Sequence, residues 1–584
     1  MSRLNWPSKA LLAPLVVCSV AMYTRLSCAQ AGIDAGALQQ NLQRQLPSPG
    51  TSNLPEPSAP SAIPEARPGQ AVVTVTRFNL EGVKNVPADE VQAVLKSWLG
   101  RPVTFDDLQK ACEAIEALYR KRGFIVQAIL PPQNIVDGIV IIQVVEARLG
   151  EVIVDTPTEV ARFDKKRARD FIIAYNELGK PADTESLERS LIILNETPGV
   201  SVTSALEAGT KEGETNLRLT LSDTPLLSGR LEANNYGAKS TGVAQATVSA
   251  ALSSPLGLGD QLLGYGIYAE GAQYSQAAYS APVGASGLRA GVSTSAFSYR
   301  NIGEYVLNGG FGGANVYSAN LSYPLLRSQG ANANLTMQFD NKTYLNKNIQ
   351  TDAVISNYQI NSINFGISGN RYDGFAGGGV TTGSLNLVLG QLSILRSSPE
   401  SYASYQDSTG QLVRLTPSTY QKLNWSLSRT QTVVPDKTRL LLNTSGQFAS
   451  SNLNSAEQFY LGGPYGVRAY PVAQGGGSQG MLATLELQHE VFQGLLLTAF
   501  YDAGVVQQYV KTYPEWQGQT NAGNVYNLMG AGFGVKYALS PFNVSAMVAW
   551  KVGKNPLYSQ TGLAVNTDNS TTNPRGWLIM GFQF

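Results

Sequence analysis

Cysteine, histidine and charge are all scarce in this sequence, and each scarcity removes a class of function. Its 584 residues include three cysteines and one histidine. Cys18 and Cys28 fall in an N-terminal leader, so the mature chain keeps only Cys112 and has no disulfide framework. His489 and Cys112 alone fall short of a usual zinc ligand set, so no metal and no cofactor are expected. Charged residues make up 15% of the chain, and 43 Lys+Arg against 42 Asp+Glu leave a formal net charge of +1. That balance points away from nucleic acid. Beyond the leader there is no apolar run of the ~18 residues that a transmembrane helix requires. A membrane role therefore falls to strands. The stretch Gly476-Gly477-Ser478-Gln479-Gly480 matches a nucleophile pattern, but in a Gly-rich loop rather than between a buried strand and a helix. With His489 as base, Glu486 is the sole carboxylate between the two. His489 reads more simply as an interfacial side chain. No catalytic residue is expected, nor a nucleotide-binding loop, and the chain reads as a non-enzyme.

What is present begins with an export signal at residues 1–29. Arg3 and Lys9 form its positive region, Leu11 to Met22 its apolar stretch, and Ser27-Cys28-Ala29 a small-residue cleavage site. Cys28 also permits a lipidation reading, which Arg25 and Leu26 argue against. Residues 30–46 can form a short helix, capped by Asp34, with Leu38, Leu42 and Leu46 on one stripe and Gln, Asn and Arg elsewhere. Read alone, this is more simply a frayed polar terminus than a helix in a wet cavity. Residues 47–70 carry seven prolines from Pro47 to Pro68. Such a linker is extended and, at ~3.1 Å per residue, reaches roughly 70 Å.

Residues 71–149 show the order β-α-α-β-β. Val73 to Val83 alternates; Val91, Val94, Leu95 and Trp98 mark one helix; Thr104 and Asp107 open another as a capping box. Cys112 falls on the apolar face of that second helix, with Leu108, Ile115 and Tyr119, and reads as a core residue. Residues 150–223 repeat the order, with helices around Phe171 and Leu191 and a closing strand at Leu217 to Leu221. Lys165, Lys166, Arg167 and Arg169 read as a solvated helix face. From 224 to 584 the pattern changes to alternating segments of about ten residues between Gly, Asn, Asp, Ser and Pro turns. About 16 such segments occur, as expected for an antiparallel transmembrane β-barrel, and the last ends with Leu578, Met580, Phe582 and Phe584 on one face.

Two stretches within this region stand out. Leu461-Gly-Gly-Pro-Tyr-Gly-Val-Arg-Ala-Tyr-Pro471 is a loop by composition and contains Gly463, Val467, Arg468, Ala469 and Tyr470. Phe500-Tyr-Asp-Ala-Gly504 lies in an alternating strand. Leu495, Leu497, Ala499, Tyr501 and Ala503 form its apolar face, which leaves Thr498, Phe500, Asp502 and Gly504 inward. On the preceding segment the same parity puts Thr484, Glu486 and Gln488 inward, so Glu486 and Asp502 can share one wall. Read alone, Arg468 is an exposed loop arginine.

Taken in order, these features resemble the two-partner secretion outer-membrane transporters (TpsB type, haemolysin/haemagglutinin secretion) of the POTRA-plus-barrel superfamily. In that superfamily a Val-Arg-Gly-Tyr loop folds into the barrel lumen and its Arg pairs with the Asp of a Phe-x-Asp-x-Gly strand. The resemblance implies an Arg468–Asp502 pair with Glu486 as a further lumen partner. It departs from the pattern at Ala469, where glycine is usual; alanine resists positive φ, so a slightly altered loop tip is expected. It also implies a plug helix at 30–46, two periplasmic POTRA domains at 71–149 and 150–223, and a barrel at 224–584 in the bacterial outer membrane. Phe584 then marks the signal read by the barrel-assembly machinery. The partners implied are outer-membrane lipid and one secreted exoprotein, a haemolysin, adhesin or contact-dependent toxin, unfolded in transit, bound by the POTRA domains and threaded through the barrel. The alternative is a factor that assembles and inserts other barrels.

Overall fold

The computed structural model describes residues 34–46, 73–156, 162–211, 213–307, 309–399, 404–514, 516–517, 523–557 and 566–584. The leader at 1–29 and the Pro-rich linker at 47–70 lie outside these residues.

The first small domain is a three-stranded sheet covered by two helices. Arg77–Glu81 pairs parallel with Ile139–Glu146, which pairs antiparallel with Val126–Ile129. The helices are Ala88–Leu95 and Phe105–Lys121. The second starts where it does because Thr104 and Asp107 form a reciprocal capping box, each satisfying a backbone N–H of the other. Its buried face is Leu108, Ala111, Cys112, Ile115 and Tyr119. Burial pushes the Cys112 thiol up to about 11, which leaves it a core residue with little thiolate character.

The second small domain repeats the arrangement. Arg148–Asp155 runs parallel to Glu214–Asp223, which pairs antiparallel with Val200–Ala208. Helices Lys165–Ile173 and Thr184–Asn195 pack on this sheet, and Lys165, Lys166, Arg167 and Arg169 are exposed. The boundary between the two domains falls after Glu146, not after residue 149: Ala147 and Leu149 belong to the second core. Gly150 lies inside the strand Arg148–Asp155. The register shifts between Leu149 and Val152 there, and Glu151 donates its N–H to Asn216 Oδ1 at 2.8 Å.

The remaining chain closes into an antiparallel barrel of sixteen strands. The first, Leu227–Asn234, and the last, Arg575–Gln583, seal it by pairing Asn234 with Ile579 through Arg230 with Gln583. Outward side chains such as Leu485, Leu487, Leu497 and Tyr501 are exposed, as a lipid-facing surface requires. The sixth to tenth strands are longer than the ten residues expected: Gly310–Arg327, Ala331–Asn348, Val354–Asp373, Gly379–Ile394 and Thr419–Val434 have 16 to 20 residues each. At ~3.3 Å per residue they overshoot the apolar band. Outside lipid both faces are polar, as in Lys342-Thr343 and Asn346-Lys347-Asn348, so alternation fades in sequence while pairing continues.

The second small domain identifies one rim of the barrel, since the turns after the second, fourth and sixth strands meet it. Arg162 Nη1 donates to the Ser253 carbonyl at 2.9 Å, and the Tyr175 hydroxyl to the Ser286 carbonyl at 2.7 Å. Arg327 Nε reaches Glu196 Oε2 at 2.8 Å, and the Gln329 N–H reaches Glu188 Oε1 at 2.6 Å.

Candidate functional site

Between the eleventh strand, Thr438–Ala449, and the twelfth, Gln479–Phe492, residues 450–478 fold inward from the far rim and fill part of the lumen. A loop buried this way must satisfy its own backbone. Val467 donates its N–H to the Leu461 carbonyl at 2.7 Å, Tyr470 to Val467 at 3.1 Å, and Gly463 to Tyr470 at 3.2 Å. Gly463 has φ +110°, which its missing side chain allows. Val467, Ala469 and Tyr470 are each 0% exposed.

This turn delivers Arg468 to the wall formed by the twelfth strand and the thirteenth, Leu495–Gln507. Its Nε lies 2.9 Å from Asp502 Oδ2 and its Nη2 lies 2.7 Å from Asp502 Oδ1, a two-pronged clasp. Its own backbone N–H also donates to Asp502, at 3.0 Å. Nη1 reaches Glu486 Oε1 at 2.7 Å. Thr484 donates its hydroxyl to Asp502 Oδ1 at 3.1 Å, and the Gln488 amide donates to Glu486 at 3.0 Å. The guanidinium carbon stands 3.4 Å from the centre of the Phe500 ring. The ring's negative face adds an attraction that grows as water is excluded. Trp577, on the sixteenth strand, donates its indole N–H to the Arg468 carbonyl at 2.8 Å.

The geometry therefore brings Arg468, Asp502, Glu486 and Phe500 together. Gly504 is the floor under Leu461, whose Cδ2 would lie 2.4 Å from any added Cβ. Ala469 brings no strain to the loop tip. It keeps φ out of the left-handed region, and its methyl points at the bare Cα of Gly530. Phe584 is outside the lumen, on the lipid side, with its ring stacked on Phe582 at 6.4 Å and its backbone paired with Gly229. Ser478 is held by Leu453 and Gln508, and His489 by Thr438, so no Ser–His pair exists between them. From sequence Thr484 is placed inward but given no partner, and Trp577 is not singled out. The inward parity of Thr484 is a usable signal, whereas Trp577 is distant in sequence and meets the loop only because the barrel closes.

Helix α1, Ala35–Gln43, lies in the same lumen beside this loop. Asp34 caps it by accepting the Ala37 N–H at 3.0 Å. Its Leu38 and Leu42 pack among wall aromatics that include Tyr274, Phe297, Tyr299, Tyr344 and Tyr358. Its Ala35 N–H donates to Asn346 Oδ1 at 2.9 Å.

Comparison with known proteins agrees with this architecture. Residues 213–537 match the family described as Haemolysin secretion/activation protein ShlB/FhaC/HecB. Residues 73–147 match the ShlB-type POTRA domain. The chain is 27% identical over 480 residues to the Heme/hemopexin transporter protein HuxB of Haemophilus influenzae, covering 81% of this chain and 82% of that one. It is 24% identical over 480 residues to the Outer membrane transporter CdiB of Escherichia coli O6:K15:H31, covering 79% and 77%. A solved structure of CdiB from Escherichia coli superposes with TM-score 0.66 at 19% identity, covering 99% of this chain and 100% of that one.

Proposed function

From the premise that the chain belongs to the haemolysin secretion/activation protein family ShlB/FhaC/HecB, we propose how its lumen carries out transport. The protein is an outer-membrane translocator of a partner exoprotein, with its POTRA domains in the periplasm. The client arrives unfolded and adds to a free sheet edge of the POTRA domains, where main-chain hydrogen bonds give affinity. It then threads the lumen once α1 has left. The Arg468 clasp on Asp502 and Glu486 holds the inward loop to one wall while the client passes the other. HuxB is a heme/hemopexin transporter by name and CdiB an outer-membrane transporter. Our reading for this chain is one large exoprotein of the same broad kind. The terminal aromatics, ending at Phe584, serve barrel assembly and lipid contact.

The observation that carries this reading is the location of α1, an amphipathic helix in the lumen of a closed barrel. Deleting residues 31–46 is expected to raise single-channel conductance in planar bilayers without preventing barrel assembly. Unchanged conductance in a fully assembled barrel would remove the stopper from the mechanism.

A further inference from the structure

The inward loop has a second buried ionic anchor, on its other arm and against the wall of the seventh and tenth strands. Glu457 is 2% exposed. Its Oε1 lies 2.9 Å from Lys342 Nζ on the seventh strand, and its Oε2 lies 2.7 Å from Lys422 Nζ on the tenth. Asp340 approaches Lys342 at 4.0 Å, so two cations face two anions. Lys422 and the Gln447 amide also donate to the backbone carbonyl of Glu457, at 2.9 Å each. Such a cluster is a poor way to gain stability and a good way to specify one arrangement.

The arrangement it specifies is the surface on which α1 rests. Residues on both sides of Glu457 touch the helix. Ser455 donates its hydroxyl to Asp34 Oδ2 at 2.5 Å, and the Ala456 carbonyl accepts the Gln40 side-chain amide. The Tyr460 carbonyl accepts from Arg44 at 3.0 Å. Gly36 packs so closely that an added Cβ would lie 2.7 Å from the Ala456 nitrogen. The Arg468 clasp holds strands twelve and thirteen and makes none of these contacts.

We propose that Glu457, gripped by Lys342 and Lys422, is the positioning residue for α1. Retention of the stopper is set by this cluster, separately from the Arg468 clasp. The proposal rests on the reading of α1 as a stopper, and the experiment separates the two. Single-channel recordings compare the full chain, Glu457→Gln, the chain lacking residues 31–46, and that deletion combined with Glu457→Gln. The expected result is a several-fold rise in open time for Glu457→Gln, toward that of the deletion, and no further rise in the combined variant. Glu457→Asp keeps a carboxylate between Lys342 and Lys422 and is expected to hold the channel nearer the closed behaviour of the full chain than Glu457→Gln does. If the deletion has no effect, the stopper reading falls. If the deletion opens the channel but Glu457→Gln stays closed, only the present proposal falls. An additional rise in the combined variant, or a Glu457→Asp variant as open as Glu457→Gln, also overturns it. Should Glu457→Gln fail to yield a heat-modifiable barrel, Lys422→Met is read in its place with the same outcomes.

Discussion

Arg468 meets two carboxylates and one aromatic ring at once, and that sets how little the position tolerates. Removing one partner of a buried, hydrogen-bonded pair typically costs about 3–5 kcal/mol, because the other charge is left alone. Here the loss falls on docking of the inward loop, since the strand ladders do not depend on it. Arg468→Ala and Asp502→Ala are each expected to cut client secretion while heat-modifiable barrel remains in the membrane. The double variant is expected to be no worse than either, as groups acting together are not additive. Arg468→Lys is expected to behave like Arg468→Ala, because an ammonium cannot bracket Asp502 and reach Glu486 together. Wild-type secretion in both single variants would contradict this account, and multiplicative losses would show that the two act separately. At this scale parity made much legible: Thr498, Phe500 and Asp502 alternate with Leu497, Ala499 and Tyr501, which puts Asp502 on the lumen face. The cation–ring contact and the indole bond from Trp577 were not legible, because neither periodicity nor spacing says how deep a loop descends.

Among the elements, local chemistry settles the helices. Thr104 and Asp107 set the start of Phe105–Lys121, and hydrogen bonds from the Thr104 backbone and side chain hold the Asp107 carboxyl below its ordinary value. The sign follows from that depression. The contribution is present above the unfolded carboxyl value near ~4 and is lost as pH falls through the lower folded value. Thr104→Ala is expected to destabilise the helix by ~1 kcal/mol at neutral pH, with the difference from wild type shrinking in acid. Hydrogen exchange in the first turn of the helix measures both, and equal protection in the two proteins would contradict the assignment. The cap at Asp34 was equally legible, but the place of α1 was not, since Leu38 and Leu42 suit any apolar surface. The lengths of the sixth to tenth strands escaped sequence because pairing beyond the bilayer needs no apolar face.

For the molecule as a whole, the central claim is that the client uses the lumen now filled by α1 and the inward loop. The change at residue 224 from mixed helices and strands to regular alternation made the barrel legible, whereas the boundary at Glu146 was hidden because only Ala147 separates the strands Ile139–Glu146 and Arg148–Asp155. The most direct measurement locks α1 in place. A Cβ at Gly36 would stand 2.8 Å from that of Ala456, and a slight retreat reaches the roughly 3.5–4.5 Å that a disulfide spans. In a Gly36→Cys, Ala456→Cys variant, client secretion is measured before and after reduction in cells whose barrel is heat-modifiable. The account predicts that secretion stops while the cross-link is intact and resumes when it is reduced. Secretion at the wild-type rate through a fully cross-linked barrel would contradict it.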